Sequence, residues 1–164
     1  MFLLGAWNDV VEAALRIRQA FTAFSCGALT ISAGLALVDD HYPVRLSAAA
    51  SGDLEDLAKQ APDKDAVCLF ESAHCYDWNT FTGRVLGEKK AALEAFFGAR
   101  GQERGTAFLY RTLDLLRTAQ DPKDGKLQLA RNAYLLARLE PPRTSPAFGA
   151  YRTFADKMYR WALN

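Results

Sequence analysis

The stretch LTISAGLALV, Leu29 to Val38, runs into DDHYPVRLSAAASGDLEDLAK, ending at Lys59, and carries the strongest strand-then-helix signal in the chain. Leu29, Ile31, Ala33, Leu35 and Leu37 alternate with Thr30, Ser32, Gly34, Ala36 and Val38. A period of two predicts a strand, and two apolar or small faces predict a buried one. Gly34 falls mid-strand, where a glycine weakens pairing unless another group approaches the backbone closely. Pro43 then suits the first turn of a helix. Its apolar face runs through Leu46, Ala49 or Ala50, Leu54 and Leu57. Gly52 inside this run predicts a break or kink, with Asp53 able to cap a new turn.

On the N-terminal side, Phe2-Leu3-Leu4 predicts a short apolar strand ended by Gly5. Asn8 or Asp9 is placed to cap the next helix. Val10, Ala14, Ile17, Phe21 and Phe24 form its single apolar face, Arg16, Arg18 and Gln19 cover the opposite side, and Gly27 closes it. On the C-terminal side, Pro62 with its charged neighbours makes a loop, and Ala66 to Phe70 reads as a third buried strand. Strand, helix, strand, helix, strand is the order of a sheet with helices packed on it. A strand at the very first residues would be an edge lacking its hairpin partner, which predicts a piece cut from a longer polypeptide.

From Asp77 onward the pattern is helical. Asp77 caps a stripe of Trp78, Phe81, Val85, Ala92 and Phe96 that stops near Gly98 and Gly101. Phe108, Thr112 and Leu115/Leu116, then Leu127, Ala130, Tyr134 and Ala137, then Phe148, Tyr151, Phe154, Met158 and Trp161 give three more helices. Four amphipathic helices on short loops predict a bundle. The expected division is therefore residues 1–76, α+β, and residues 77–164, all-α.

At 164 residues, with 50% hydrophobic and 24% charged, the composition is that of a globular chain with a real core. Cys26, Cys68 and Cys75 form no C-x-x-C pair, and Cys26 and Cys68 read as reduced core residues of a cytoplasmic protein. No apolar run is long enough to span a membrane, and MFLLGAW lacks the basic leader of a signal peptide. Charge is uneven. Met1 to Gly83 carries 5 basic against 11 acidic residues, and Arg84 to Asn164 carries 15 against 8. Two parts with different partners would show this asymmetry, and so would two halves that neutralise each other.

No catalytic set stands out. His74, Cys75 and Asp77 match no zinc spacing and lack a fourth ligand, and a turn before a helix accounts for them. Asp39-Asp40 before a Pro-started helix reads as a cap rather than a metal pair. No Gly-rich phosphate loop of the Walker or dinucleotide type occurs. Ser32 has no histidine partner for a nucleophilic role. Lys59 at a helix end is placed either to reach a triphosphate or simply to complement the helix dipole. Arginines crowd the polar faces of the second part, at Arg100, Arg104, Arg111, Arg117, Arg131, Arg138, Arg143, Arg152 and Arg160. Such a face suits nucleic-acid phosphate, and it also suits plain solvation of a helix.

The ordered segments FLLGAWNDVVEAALRIRQAF, LTISAGLAL, HYPVRLSAAASGDLEDLAK, DAVCLFE and YDWNTF resemble the large subunit of type III-A CRISPR effector complexes. The helical LARNAYLLAR, Leu129 to Arg138, continues the resemblance more loosely. The resemblance implies a second palm domain with a ferredoxin-like core, lacking its first strand here, followed by a helical domain. It implies ATP and a divalent metal, Mg or Mn, in the intact subunit, bound with a Gly-Gly-Asp-Asp hairpin that this sequence lacks. It implies cyclic oligoadenylate synthesis switched on by target RNA, no catalytic or metal residue in this chain, and no tight binding of either cofactor by it alone. Carried onto matching positions, Ser32, Gly34 and Lys59 would border the nucleotide. Arg100, Arg104, Arg111, Arg131 and Arg138 would meet other effector subunits, guide and target RNA, or single-stranded DNA. The competing expectations are a non-catalytic RNA-binding scaffold and a palm of the diguanylate-cyclase type.

Overall fold

The computed structural model describes residues 1–98, 107–114 and 125–163, and the chain divides into two compact units, Met1–Leu86 and Gly87–Asn164.

The first unit is built on a three-stranded mixed sheet of order β1-β2-β3. β1 (Ala33–Leu35) pairs in parallel with β2 (Ala66–Leu69), Gly34 opposite Cys68. β3 (Cys75–Asp77) pairs antiparallel with β2, Cys75 opposite Cys68. α1 (Trp7–Phe24) precedes the sheet and α2 (Val44–Ala58) joins β1 to β2. A parallel pair needs such a crossover. Leu35, Val67 and Leu69 pack with Trp78 and Phe81 and with Val10, Val11, Ala14 and Leu15 of α1. The other face, Ala66 and Cys68, packs with Leu54 and Ala58 of α2.

Several local expectations hold. Ala66 to Leu69 form a buried strand as expected, although Phe70, expected to end it, lies outside it, exposed and at φ +65°. Pro43 stands immediately before α2. Gly27 adopts φ +75° and donates its N–H to Thr22 O, closing α1 in the left-handed conformation that glycine tolerates best. The close approach at Gly34 is real. A Cβ there would lie 2.2 Å from both the Glu55 N and the Ser51 O of α2.

Others are corrected. Phe2-Leu3-Leu4 forms no strand and is substantially exposed, because no strand lies beside it among the described residues. The Leu29–Val38 strand shrinks to three residues, and Leu29 and Leu37 are exposed, since only this short stretch has β2 to bond to. α1 starts at Trp7 behind Ala6, so Asn8 and Asp9 lie inside its first turn rather than capping it. α2 runs unbroken past Gly52, where the surrounding space is open and nothing forces a kink. Asp53 therefore caps nothing. Cys26 is exposed at φ +51°, just past the end of α1, and is no core residue, whereas Cys68 is buried as expected. β3 occupies residues read as a turn.

α3 (Trp78–Thr80) starts behind Asp77, whose side chain accepts the Thr80 N–H at 2.8 Å, the expected cap. It runs on through a π-helix (Phe81–Lys90) into α4 (Ala91–Gly98). The second unit continues with α5 (107–114), α6 (Gly125–Leu139) and α7 (Phe148–Leu163). Its core is Phe96, Phe108, Leu136, Tyr151, Phe154 and Ala155. The rings of Phe96 and Phe154 stack 4.3 Å apart. Phe96, Phe108, Tyr151 and Phe154 of the expected stripes are core, but the Ala130, Tyr134 and Ala137 face of α6 is exposed, and α6 instead buries Leu136, because that is the side α7 packs on. The chain thus comprises a mixed α+β unit and a helical one.

Candidate functional site

β1 has β2 on one side and no strand on the other among the described residues. Against this open edge lies a cavity of about 670 Å³. Its floor is Ile31 to Val38; Val10, Ala14 and Ile17 of α1 and the Phe2–Leu4 segment close one side; Ser47, Ala48, Ser51 and Glu55 of α2 close the other. The helical spacing that hides Val10 and Ala14 against the sheet also brings Ile17 to the cavity.

The floor is fixed from below. Trp78 is fully buried and its indole N–H donates to Ile31 O at 2.8 Å. Its backbone N–H donates to Asp65 O at 3.1 Å. The Asp65 carboxylate takes two bonds from Arg18, Nη2 to Oδ2 at 2.7 Å and Nε to Oδ1 at 3.3 Å. The guanidinium also lies 5.9 Å from the centre of the Trp78 ring. Arg18 therefore does not cover a solvent face. It ties α1 to the start of β2 and to α3. Sequence reading missed this cluster, because an arginine between apolar positions looks the same whether or not a carboxylate faces it.

The expected nucleotide residues divide. Ser32 and Gly34 both line the cavity. The Ser32 hydroxyl donates to Lys64 O at 2.6 Å, and the α2 backbone presses on Gly34. Lys59 does not line it. Its ammonium is paired with Glu55 at 2.9 Å and Asp56 at 3.3 Å. The hydrogen bond to Glu55, then that to Asp56, holds its pKa above the ordinary lysine value. A second hollow of about 1050 Å³ opens at the carboxyl ends of β1 and β2, rimmed by Asp39, Asp40, Asp53 and Glu71. Phe70 stands on its rim at φ +65°, its N–H donating to Leu35 O at 2.6 Å.

ATP and a divalent metal are a poor fit to these residues taken alone. Among the described residues the β1 cavity offers mostly apolar walls and serine hydroxyls, which suit a base and ribose, but its charged lining residues are Asp40 and Glu55, with no Lys or Arg for a triphosphate. Among the described residues no group of three or more His, Cys, Asp or Glu is placed to hold a metal ion. His74, Cys75 and Asp77 belong to the β2–β3 turn, to β3 and to the α3 cap.

In the second unit Arg111, Arg131 and Arg138 are exposed, with Arg138 6.0 Å from the centre of the Tyr134 ring. Arg143 and Arg152 are exposed as well. Arg100, Arg104 and Arg117 lie outside the described residues. No described helix is long and apolar enough to cross a membrane.

Both units have relatives. Residues 1–68 match the Cas10/Cmr2 second palm domain, and residues 94–164 match the second helical domain of the CRISPR RNA silencing complex Cmr2 subunit. Among curated proteins, the CRISPR system single-strand-specific deoxyribonuclease Cas10/Csm1 (subtype III-A) of Mycobacterium tuberculosis is 35% identical over 161 residues, covering 98% of this chain and 19% of its own. The chain belongs to the Cas10/Csm1 large subunits. The Cas10/Csm1 proteins of Enterococcus italicus and Streptococcus thermophilus are 41% identical over 84% of the chain and 32% identical over all of it. These cover 17% and 21% of the relatives, so the chain spans about a fifth of the length of the Cas10/Csm1 proteins it matches. The palm match ends inside β2 and the helical match begins inside α4.

Proposed function

We propose that this chain forms the second palm and the helical domain of a type III-A CRISPR large subunit, and that the β1 cavity is one wall of its nucleotide site. The cavity is the observation that carries the reading. It is large enough for a base and ribose, since small-molecule sites run from about 300 to 1,000 Å³. Its walls are mostly apolar, with hydroxyls from Ser32 and Ser51 and the acidic residues Asp40 and Glu55 also in the lining. The cationic and metal ligands for the phosphates then come from parts of the longer polypeptide outside this chain. A ferredoxin-like sheet completed by further strands beside β1, and cyclic oligoadenylate as product, rest on the resemblance to type III-A large subunits. Lys59 takes part only if a phosphate displaces Glu55 and Asp56 from its ammonium.

What this chain's own residues supply is position. Trp78 and the Arg18–Asp65 pair fix Ile31 and so hold the strand that forms the cavity floor. α2, pressed on Gly34, sets the far wall. Bidentate, planar guanidinium groups on the helical unit suit RNA or single-stranded DNA phosphates, and the relatives are named as single-strand-specific deoxyribonucleases. These exposed arginines also favour the scaffold reading, in which the palm supports nucleic-acid binding without chemistry.

The test uses the full-length subunit assembled with guide RNA, and reads ATP consumption with and without target RNA. Ala48→Phe fills the cavity from the exposed face of α2. Loss of target-dependent product with target binding intact supports the nucleotide site, and an unchanged KM for ATP overturns it. Lys59→Ala separately raises that KM if the lysine meets phosphate, and leaves it unchanged if the carboxylates keep it. Target binding with no ATP turnover in the unmutated subunit establishes the scaffold.

A further inference from the structure

Cys68 and Cys75 face each other across β2 and β3. The bonds on either side fix the kind of pair they form. Leu69 N–H donates to His74 O at 2.9 Å and Trp78 N–H to Asp65 O at 3.1 Å, so residues 69/74 and 65/78 are hydrogen-bonded pairs. Alternation along an antiparallel ladder makes Cys68/Cys75 a non-hydrogen-bonded pair, with side chains on one face and Cα atoms about 4.5 Å apart. That separation lies within the ~4.4–6.8 Å that a disulfide spans. The Cys75 thiol is close enough to help raise the pKa of Cys68. Neither is oxidised, and Cys68 is buried while Cys75 is exposed.

We propose that Cys68 and Cys75 form a reversible, oxidant-sensitive dithiol that closes into a cross-strand disulfide. The asymmetry of the pair sets the order of events. Burial, and then the contact with Cys75, push the Cys68 thiol up to about 12, so it is a poor first nucleophile. Cys75 is the accessible partner. Its thiolate attacks one sulfur of a low-molecular-weight disulfide, whose S–S bond breaks and expels one thiolate. The mixed disulfide on Cys75 then stands against Cys68. Cys68 gives up its proton and attacks the Cys75 sulfur, expelling the second thiolate. Two electrons pass to the oxidant, and the protons end on its two thiols. The Cys68 Sγ also gives up its contact with Glu71 O, 3.6 Å away. The closed ring encloses Leu69 to His74, so oxidation clamps the turn carrying Phe70 and Glu71, one rim of the acidic hollow.

The experiment exposes the purified chain to oxidised glutathione and measures mass without reductant. Trypsin leaves both cysteines in one peptide, Asp65–Arg84, and Cys26 in another. The expected result is loss of two hydrogens from Asp65–Arg84, unchanged in Cys26→Ser and reversed by dithiothreitol. Cys68→Ala should instead trap glutathione on Cys75. A stable glutathione adduct on Cys75 of the unmutated chain, or a disulfide reaching Cys26, overturns the proposal. Because the mass of the unmutated chain decides the matter, a poorly folded Cys68→Ala leaves the test intact.

Discussion

Replacing Gly34 by alanine tests the packing on which the cavity depends. The added Cβ would sit 2.2 Å from two backbone atoms of α2 and 2.7 Å from a third, the Leu54 carbonyl carbon, where ordinary contact begins at 3.4 Å. The obstacle is helix backbone, so no side chain can swing aside. α2 must move by more than an ångström, or β1 must leave β2. Forcing an extra methyl into a packed interior costs ~1–3 kcal/mol, and rigid backbone places Gly34→Ala at about 3 kcal/mol, the upper end. Against a typical total of about 5–15 kcal/mol, this is a large fraction of the stability. With a urea slope of about 2 kcal/mol per molar, the midpoint falls by about 1.5 M. The assay is urea unfolding followed by tryptophan fluorescence in a Trp161→Phe background, so that Trp7 and Trp78 report the first unit. Gly52→Ala is the control. It meets open space inside a helix, and it should stabilise by about 0.5–1 kcal/mol. A Gly34→Ala midpoint equal to that of the parent, or an equal fall in both variants, would refute the packing argument.

Arg18→Ala should lower the thermal midpoint clearly, since it strips two charge-assisted bonds worth about 1.5–3 kcal/mol each at most from a largely buried pair. Arg16→Ala, whose pairing with Glu12 is exposed, should barely move it. The pKa of Asp77 is lowered, chiefly by the Thr80 hydrogen bonds, so its contribution is present above the unfolded value near pH 4 and fades as pH falls through its folded value. Asp77→Asn keeps the cap acceptor and should flatten that acid limb in a pH series of melting curves. Tyr151→Phe removes a buried bond to Leu136 O, 2.9 Å long, and should cost about 1 kcal/mol in thermal unfolding.

How far the sequence revealed this molecule depended on whether the deciding partner was local. Pro43, Gly27 and Asp77 act within one turn of themselves, and each did what its residue type predicts. Ala66 to Leu69 are apolar without alternation and proved buried throughout. Phe2-Leu3-Leu4 has strand composition, but a strand exists only through a neighbour, and none lies beside it among the described residues. Cys75–Asp77 failed in the opposite sense. It has an exposed, intermediate, exposed pattern with no apolar signal, and it is a strand because β2 bonds it. Of the cavity floor, the close approach at Gly34 was legible because a mid-strand glycine signals it, whereas Ser32 was singled out only through the family resemblance. The pairing of Lys59 with its own helix was legible only as a dipole effect, although Glu55 and Asp56 stand one turn before it. The Arg18–Asp65 contact joins residues 47 apart and leaves no local trace.

The parallel pairing of β1 with β2 has a kinetic side. The β2–β3 hairpin closes a short turn and can form in about 1–10 μs. β1 can join it only after α2 has carried the chain back, which adds the entropy of a much longer loop. The search for that closure should limit the folding rate of the first unit. Substitutions at the Gly34–α2 contact would then slow folding, and substitutions at the Asp77 cap would alter hairpin formation without changing the slow step.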